Sequence, residues 1–335
     1  MIFDLHCDTI WKIWQTNLKT PNACHLQKSN LQIDETKLVK GGYFAQCFAM
    51  YVPADTPEPK SALASMFATL EEELSNCKRL SKVERFSDFE KNHREGKISA
   101  VVTMEDACPI GENLENLERC YKKGVRMLGL TWNFKNQVGY PNYRNFQRIG
   151  WTPDLFTPER ENGLTEFGKE LVLEANRLGV ALDVSHLSDK GFYDVVSLSK
   201  KPIFASHSNA RGVCKNVRNL TDEMLKALCD NGGAVGINYA EGFLCEDEKR
   251  GKNTLEFVVE HIRYIKRKFS VDCLALGSDF DGINADIQLS DASKLPLLIS
   301  ALEGAGLTAE EIDKITHKNA LRVFKETMRD ENVVF

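Results

Sequence analysis

The chain has 335 residues, 42% hydrophobic and 27% charged, a balance that excludes a disordered polymer. Its 43 basic and 48 acidic residues leave a net charge of −5, which argues against a nucleic-acid partner. No run approaches the ~18 apolar residues of a membrane span.

In chain order, eight β-rich runs appear: Ile2–Cys7, Tyr43–Val52, Ser99–Glu105, Val125–Trp132, Val180–His186, Pro202–His207, Ala234–Tyr239 and Cys273–Asp279. Most are apolar on both faces, as in parallel strands covered on both sides. Helical stretches lie between them. Ser61–Leu80 has an apolar face, Thr165–Leu178 stops before Gly179, Thr221–Asp230 precedes Gly232-Gly233, and Asn253–Phe269 is amphipathic. The last helix opens on the capping box Thr308-Ala309-Glu310-Glu311 and runs to Met328. Eight strands alternating with helices predict a (β/α)8 TIM barrel in α/β class, occupying 1–335 as a single domain. A doubly wound open sheet is the other option, but no Gly-rich phosphate loop follows the first strand. Two connections are long. Thr9–Gly42 joins the first two strands, and a loop at about 133–164 carries Asn133, Asn136, Tyr140, Tyr143, Trp151 and Arg160. Loops of that length without obvious structure are commonly functional. Ten cysteines from Cys7 to Cys273 include no C-x-x-C pair and read as reduced thiols. The opening residues lack a secretory signal pattern and the closing residues lack a lipid-anchor tail, so a cytoplasmic protein without a membrane partner is expected.

Barrel active sites gather at the C-terminal ends of strands. Three of the seven histidines, His6, His186 and His207, sit there. In His6-Cys7-Asp8 the first and third side chains share a face and can grip one cation while Cys7 turns away. A strand-end His with a capping Asp is the plain alternative. Glu105 ends an apolar strand, where a carboxylate is costly to bury without a partner; a role bridging two cations supplies one. Its neighbour Asp106 reads as a cap. Asp279 ends the eighth strand beside the first, placed to accept a proton from an attacking water, whereas Asp281 in Asp-Phe-Asp-Gly reads as a turn former. These nitrogen and oxygen donors suit Zn²⁺ and tolerate Mn²⁺ or Co²⁺. Five ligands exceed one tetrahedral zinc with an open position, so two zinc ions sharing Glu105 and a bridging hydroxide fit better. Arg218, eleven residues after His207, would sit on the rim and could clamp a substrate carboxylate.

His6-x-Asp8, Glu105, Asp183-x-Ser185-His186, Ser206-His207-Ser208, Arg218-Asn219, Gly277-Ser278-Asp279-Phe280-Asp281-Gly282 and the closing Asn319-Ala320-Leu321-Arg322-Val323-Phe324 together resemble the membrane (renal) dipeptidase family of amidohydrolase-type barrels. The resemblance implies a dinuclear zinc dipeptidase. His6, Asp8 and Glu105 would hold one zinc, and Glu105, His186 and His207 the other. The hydroxide would attack the peptide carbonyl, Asp279 would pass its proton to the leaving amine, and Arg218 would bind the dipeptide carboxylate. A D-residue at the C-terminal position is tolerated in the family, and homodimers are frequent. One departure concerns the family histidine after the Leu-Thr of strand four: here Leu130-Thr131 is followed by Trp132-Asn133, so either Trp132 or Asn133 is expected to supply a substitute substrate contact, or the preferred substrate is expected to differ from an ordinary L,L-dipeptide. The alternatives are a hydrolase or lactonase acting on another small carboxylate, and a metal-binding barrel without catalysis.

Overall fold

The computed structural model describes residues 1–144, 154–246, 254–284 and 288–329. Nine parallel strands form the sheet: β1 (Ile2–Asp4), β2 (Tyr43–Tyr51), β3 (Leu80–Lys82), β4 (Ile98–Glu105), β5 (Val125–Gly129), β6 (Ala181–Asp183), β7 (Phe204–Ala205), β8 (Ala234–Ile237) and β9 (Leu274–Leu276). Eight of them close a ring. β1 pairs with β2 on one side and β9 on the other, β9 to β4 follow in descending order with β3 left out, and β2–β4 pairing over Ala45–Tyr51 and Ser99–Glu105 seals it. The barrel expectation is borne out, with one addition. Leu80, expected as the end of a helix, instead opens β3, which lies against Ile98–Ala100 at the start of β4.

One buried cluster takes a residue from every ring strand: Phe3, Ala45, Val101, Met127, Ala181, Phe204, Ala234 and Ala275 among them. A cluster fed by all eight strands is the barrel interior. Four of those residues are alanine, and the space they leave is filled by Phe89 and by Ala320, Val323 and Phe324 of the helix Asn319–Thr327. The larger cluster lies between strands and helices, with Ile2, Val102, Leu128, Leu182, Val235 and Leu276 facing outward.

Helix starts follow the expected chemistry. The Thr165, Thr221 and Thr308 side chains accept from the N–H groups of Gly168, Met224 and Glu311, and Gly179 ends its helix at φ 81°. The first helix of the central part spans Pro59–Asn76 rather than Ser61–Leu80. The final stretch is not one continuous α-helix, because a π turn at Lys314–Lys318 interrupts it. The Thr9–Gly42 connection contains two helices, Thr9–Lys19 and Glu35–Gly41. Trp151, and Asn253 at the expected start of the helix Thr254–Lys268, lie outside the described residues. The cysteine expectation needs a correction: Cys229 and Cys273 form a disulfide, bringing the end of one helix to the entry of β9, while the other eight keep their thiols. Among the described residues, no helix is long and apolar enough to cross a membrane.

Candidate metal centre

The strands are shorter than the apolar runs suggest, so most expected site residues stand in the turns just beyond them. His6 follows β1 by two residues, His186 follows β6 by three, His207 follows β7 by two and Asp279 follows β9 by three; Glu105 closes β4. All converge on one mouth of the barrel. His6 Nε2 lies 3.4 Å from Glu105 Oε2 and 3.8 Å from both Asp8 Oδ2 and Asp279 Oδ1. On the other side of Glu105, its Oε1 lies 3.0 Å from His186 Nε2 and 3.7 Å from His207 Nε2. Cys7 turns away as expected, its thiol donating to the Cys47 carbonyl.

Two observations show that these donors fit a cation. The first is that His6 Nε2, Asp8 Oδ1 and Glu105 Oε2 are buried without a hydrogen-bond partner, a costly arrangement unless something else satisfies them. The second concerns the imidazole pair. The Nε2 atoms of His186 and His207 face each other at 2.9 Å. His186 Nδ1 lies 2.7 Å from Asn133 Oδ1, and His207 Nδ1 lies 2.8 Å from Ser206 Oγ, which donates to Asp183 Oδ2 at 2.5 Å. With both Nδ1–H groups donated to these acceptors, two lone pairs point at one spot beside a carboxylate, an arrangement that a cation relieves. The groups His6–Glu105–His207 and His6–Asp8–Asp279 each keep their donor atoms within 4.8 Å.

The electrostatics agree. Burial and the neighbouring Asp8 push Glu105 up to about 8, and burial pushes Asp279 up to about 6. Burial holds His186 and His207 well below the usual histidine range, aided by Arg218 and His6, which keeps them neutral as ligands must be. Burial opposes the charged form of His6 too, but Glu105 and Asp8 outweigh it and raise this histidine.

Arg218 is not on an exposed rim. It is 2% exposed, its guanidinium stacks 5.4 Å from the Phe243 ring, and its Nε has no hydrogen-bond partner. Burial lowers its pKa, with Tyr143, Asp279 and Glu105 near enough to counter this. Trp132 is half-buried, edge-on to Tyr51 at 5.1 Å and 6.1 Å from the His186 ring. Asn133 was expected on the substrate, yet its carbonyl oxygen is engaged by His186. It also lines a cavity of about 590 Å³ with Phe134, Lys135, Tyr140, Tyr143 and Arg144.

Sequence reading missed the supporting shell. Asn238, just past β8, donates to Asp279 Oδ2 at 2.9 Å. Asp4 accepts from Ser278 N–H at 2.8 Å and from Ser278 Oγ at 2.5 Å, and Asp183 accepts from the same two groups of Ser206 at the same distances. The signal was present as an Asp two residues before His6 and another two before Ser185. Asp281 sits in the turn that the Gly282 N–H closes on the Asp279 carbonyl at 3.1 Å, and its carboxylate reaches across to accept from Thr9 Oγ1 at 2.6 Å and the Gln32 N–H at 2.7 Å. Asp106 accepts from the Cys108 N–H at 2.8 Å beside the short 3-10 turn Cys108–Ile110, but the N-cap position there is held by Ala107, so the expected cap is displaced by one residue. His186, Asp279, Asp281 and Asp106 all have positive φ, from 63° to 74°, which places backbone strain at this mouth.

A family model described as membrane dipeptidase (peptidase family M19) matches residues 1–333. A Klebsiella pneumoniae protein described as an uncharacterized protein in the pqqA 5′ region is 38% identical over 234 residues, covering 69% of this chain and 83% of that one. The dipeptidase tcpJ of Claviceps purpurea is 29% identical over 306 residues, covering 88% and 69%. Among solved structures, a metallopeptidase from Rhodobacter sphaeroides, liganded with a phosphinate mimic of the dipeptide L-Ala-D-Ala, superposes with a TM-score of 0.87. It is 29% identical, with 97% of this chain and 99% of that one covered.

Proposed function

The chain belongs to the membrane dipeptidase family, peptidase family M19, and from that premise we propose that it is a dinuclear zinc dipeptidase, one catalytic barrel over 1–335. The observation that carries the reading is the convergence of five nitrogen and oxygen donors, several of them buried and unpaired, beside a buried arginine with an unpaired Nε. His6, Asp8 and Glu105 would hold one ion; Glu105, His186 and His207 would hold the second. When bound, such ions polarise a carbonyl and acidify the attacking water.

The chain's own residues do the rest. Asp279 keeps Oδ2 on the Asn238 amide while Oδ1 lies on the His6 side, so one carboxylate oxygen is steered and the other is left for the proton of the attacking water. The same group returns that proton to the leaving amine. Arg218 binds the free carboxylate of the substrate, which limits the chain to one residue beyond the scissile bond. Trp132, packed on Tyr51, walls the substrate space. The dipeptide mimic in the Rhodobacter sphaeroides protein has a D-residue at its C-terminal position, which supports acceptance of L,D-dipeptides here.

The test is hydrolysis of L,L- and L,D-dipeptides by metal-stripped protein before and after zinc is restored, with Asp279→Asn as control. Zinc-dependent cleavage that drops by about 10²–10⁴-fold in the control is expected, the range for loss of a positioned acid–base group. Two zinc ions bound without any dipeptide cleavage would move the assignment to another amide or lactone of a small carboxylate.

A further inference from the structure

The two imidazoles of the second ion position are held by different parts of the fold. His207 Nδ1 meets Ser206 Oγ, which is backed by Asp183 at the end of β6; this support belongs to the barrel. His186 Nδ1 meets Asn133 Oδ1 at 2.7 Å, and Asn133 belongs to the long connection after β5. That connection is stitched onto the turn carrying His186. The Asn142 N–H donates to the His186 carbonyl at 2.8 Å, the Ser188 N–H donates to the Tyr140 carbonyl at 2.9 Å, and Pro141 bridges to Leu187. His186 itself sits at φ 68°, so its backbone is fixed from outside rather than by its own preference.

An imidazole can offer Nε2 as a ligand only in the tautomer with its proton on Nδ1. An acceptor opposite Nδ1 selects that tautomer and fixes the ring plane. We infer that Asn133 is a positioning residue: its amide oxygen locks His186 for ligation, so the affinity of the Glu105–His186–His207 position is set by the loop that lines the 590 Å³ cavity. This rests on the two-ion reading but not on the substrate.

The experiment is zinc titration of metal-stripped protein against a competing chelator for the parent, Asn133→Ala and Asn133→Asp. The parent takes up two equivalents. Asn133→Ala retains the first and binds the second about 10–100-fold more weakly, the usual effect of losing a group that orients a ligand. Asn133→Asp, which keeps an acceptor, restores the second. A Tyr140- or Phe134-type packing role would not distinguish Ala from Asp in this way. An independent readout on the parent alone is the ¹⁵N spectrum of the zinc-loaded protein, in which His186 shows the proton on Nδ1. Equal binding of both equivalents by Asn133→Ala, an Asp variant no better than Ala, uptake of one equivalent by the parent, or a His186 proton on Nε2 would each overturn the inference. A parent that binds two equivalents, with the Ala defect present but no dipeptide cleaved, supports it while removing the dipeptidase reading.

Discussion

Arg218 combines full burial with an unpartnered Nε and with Tyr143, Asp279, Glu105 and Asp183 near enough to counter its burial, the electrostatics of a guanidinium kept charged for an incoming anion. Arg218→Met preserves much of the side-chain volume and removes the charge. Dipeptide kcat/KM is expected to fall ~10–150-fold, the equivalent of ~1.5–3 kcal/mol for a charged hydrogen bond, mostly through KM; an unchanged KM would remove Arg218 from the binding site. His261 makes a different residue-scale prediction. Its Nδ1 accepts from the Ala210 N–H at 3.1 Å and its Nε2 donates to the Leu244 carbonyl at 3.0 Å, so a second proton has no acceptor. Burial pushes its pKa down to about 4. Below the usual histidine pKa the unfolded chain takes up a proton that the folded chain refuses, so stability falls as pH drops from about 6.5 toward 4. The loss for this one group reaches up to about 3 kcal/mol at the acid end. His261→Gln should therefore flatten the decline of the urea midpoint between pH 7 and pH 5; parallel declines in parent and variant would assign the acid sensitivity elsewhere.

At the scale of elements, the mouth of the barrel is held by a repeated device. Asp4 at the end of β1 bonds the N–H and hydroxyl of Ser278 after β9, and Asp183 at the end of β6 does the same to Ser206 after β7. Each carboxylate thereby fixes the spacing of two neighbouring strands and the segment that leads to Asp279 or His207. The glycines next to this device permit the close approach: a Cβ at Gly277 or Gly236 would overlap the backbone oxygen of Ser206. Gly277→Ala is expected to cost ~1–3 kcal/mol by overpacking and to weaken zinc binding. Gly304→Ala, at the end of the helix Leu295–Gly304 with open space around it, should be neutral or stabilise by up to ~1 kcal/mol. Equal effects at the two positions would refute the close-packing argument. The strands themselves were legible as apolar runs, because burial on both faces leaves little else in them. Their ends were not, because apolar residues continue past the last ladder bond: Leu130 is fully buried although β5 stops at Gly129. β3 has only three residues and no pattern to find. In the same way His6, Glu105, His186, His207 and Asp279 stood out as ionisable groups at strand ends, whereas Asn238 acts through a contact with a residue 41 positions away, which no local pattern encodes.

At the scale of the whole molecule, the two ends of the barrel are built for different tasks. The C-terminal mouth carries polar, strained and unpaired groups, and its stability has to come from elsewhere. The opposite end is closed by the last described helix. Phe324 stacks on Phe3 at 5.5 Å and packs against Phe204 at 5.0 Å and Phe89 at 6.0 Å. Asn319 donates to the Val271 and Leu274 carbonyls, and Arg322 reaches the Gly232 carbonyl, so the helix is tied to the entries of β8 and β9. The alanines lining the interior leave room that this helix fills, which makes Asn319–Thr327 part of the barrel core rather than an appendage. Phe324→Ala removes a fully buried ring from a close-packed site, a change that costs ~3–5 kcal/mol from lost transfer energy plus the cavity left behind. Because the cavity opens at the end remote from His6 and Glu105, the folded variant should still take up zinc with the parent's stoichiometry while its denaturant midpoint falls. The combination to measure is urea unfolding together with zinc content. A drop below ~1 kcal/mol would mean that the interior does not depend on this plug. Lost zinc in a variant that remains folded would mean that the two ends are mechanically coupled through strands of only two to nine residues.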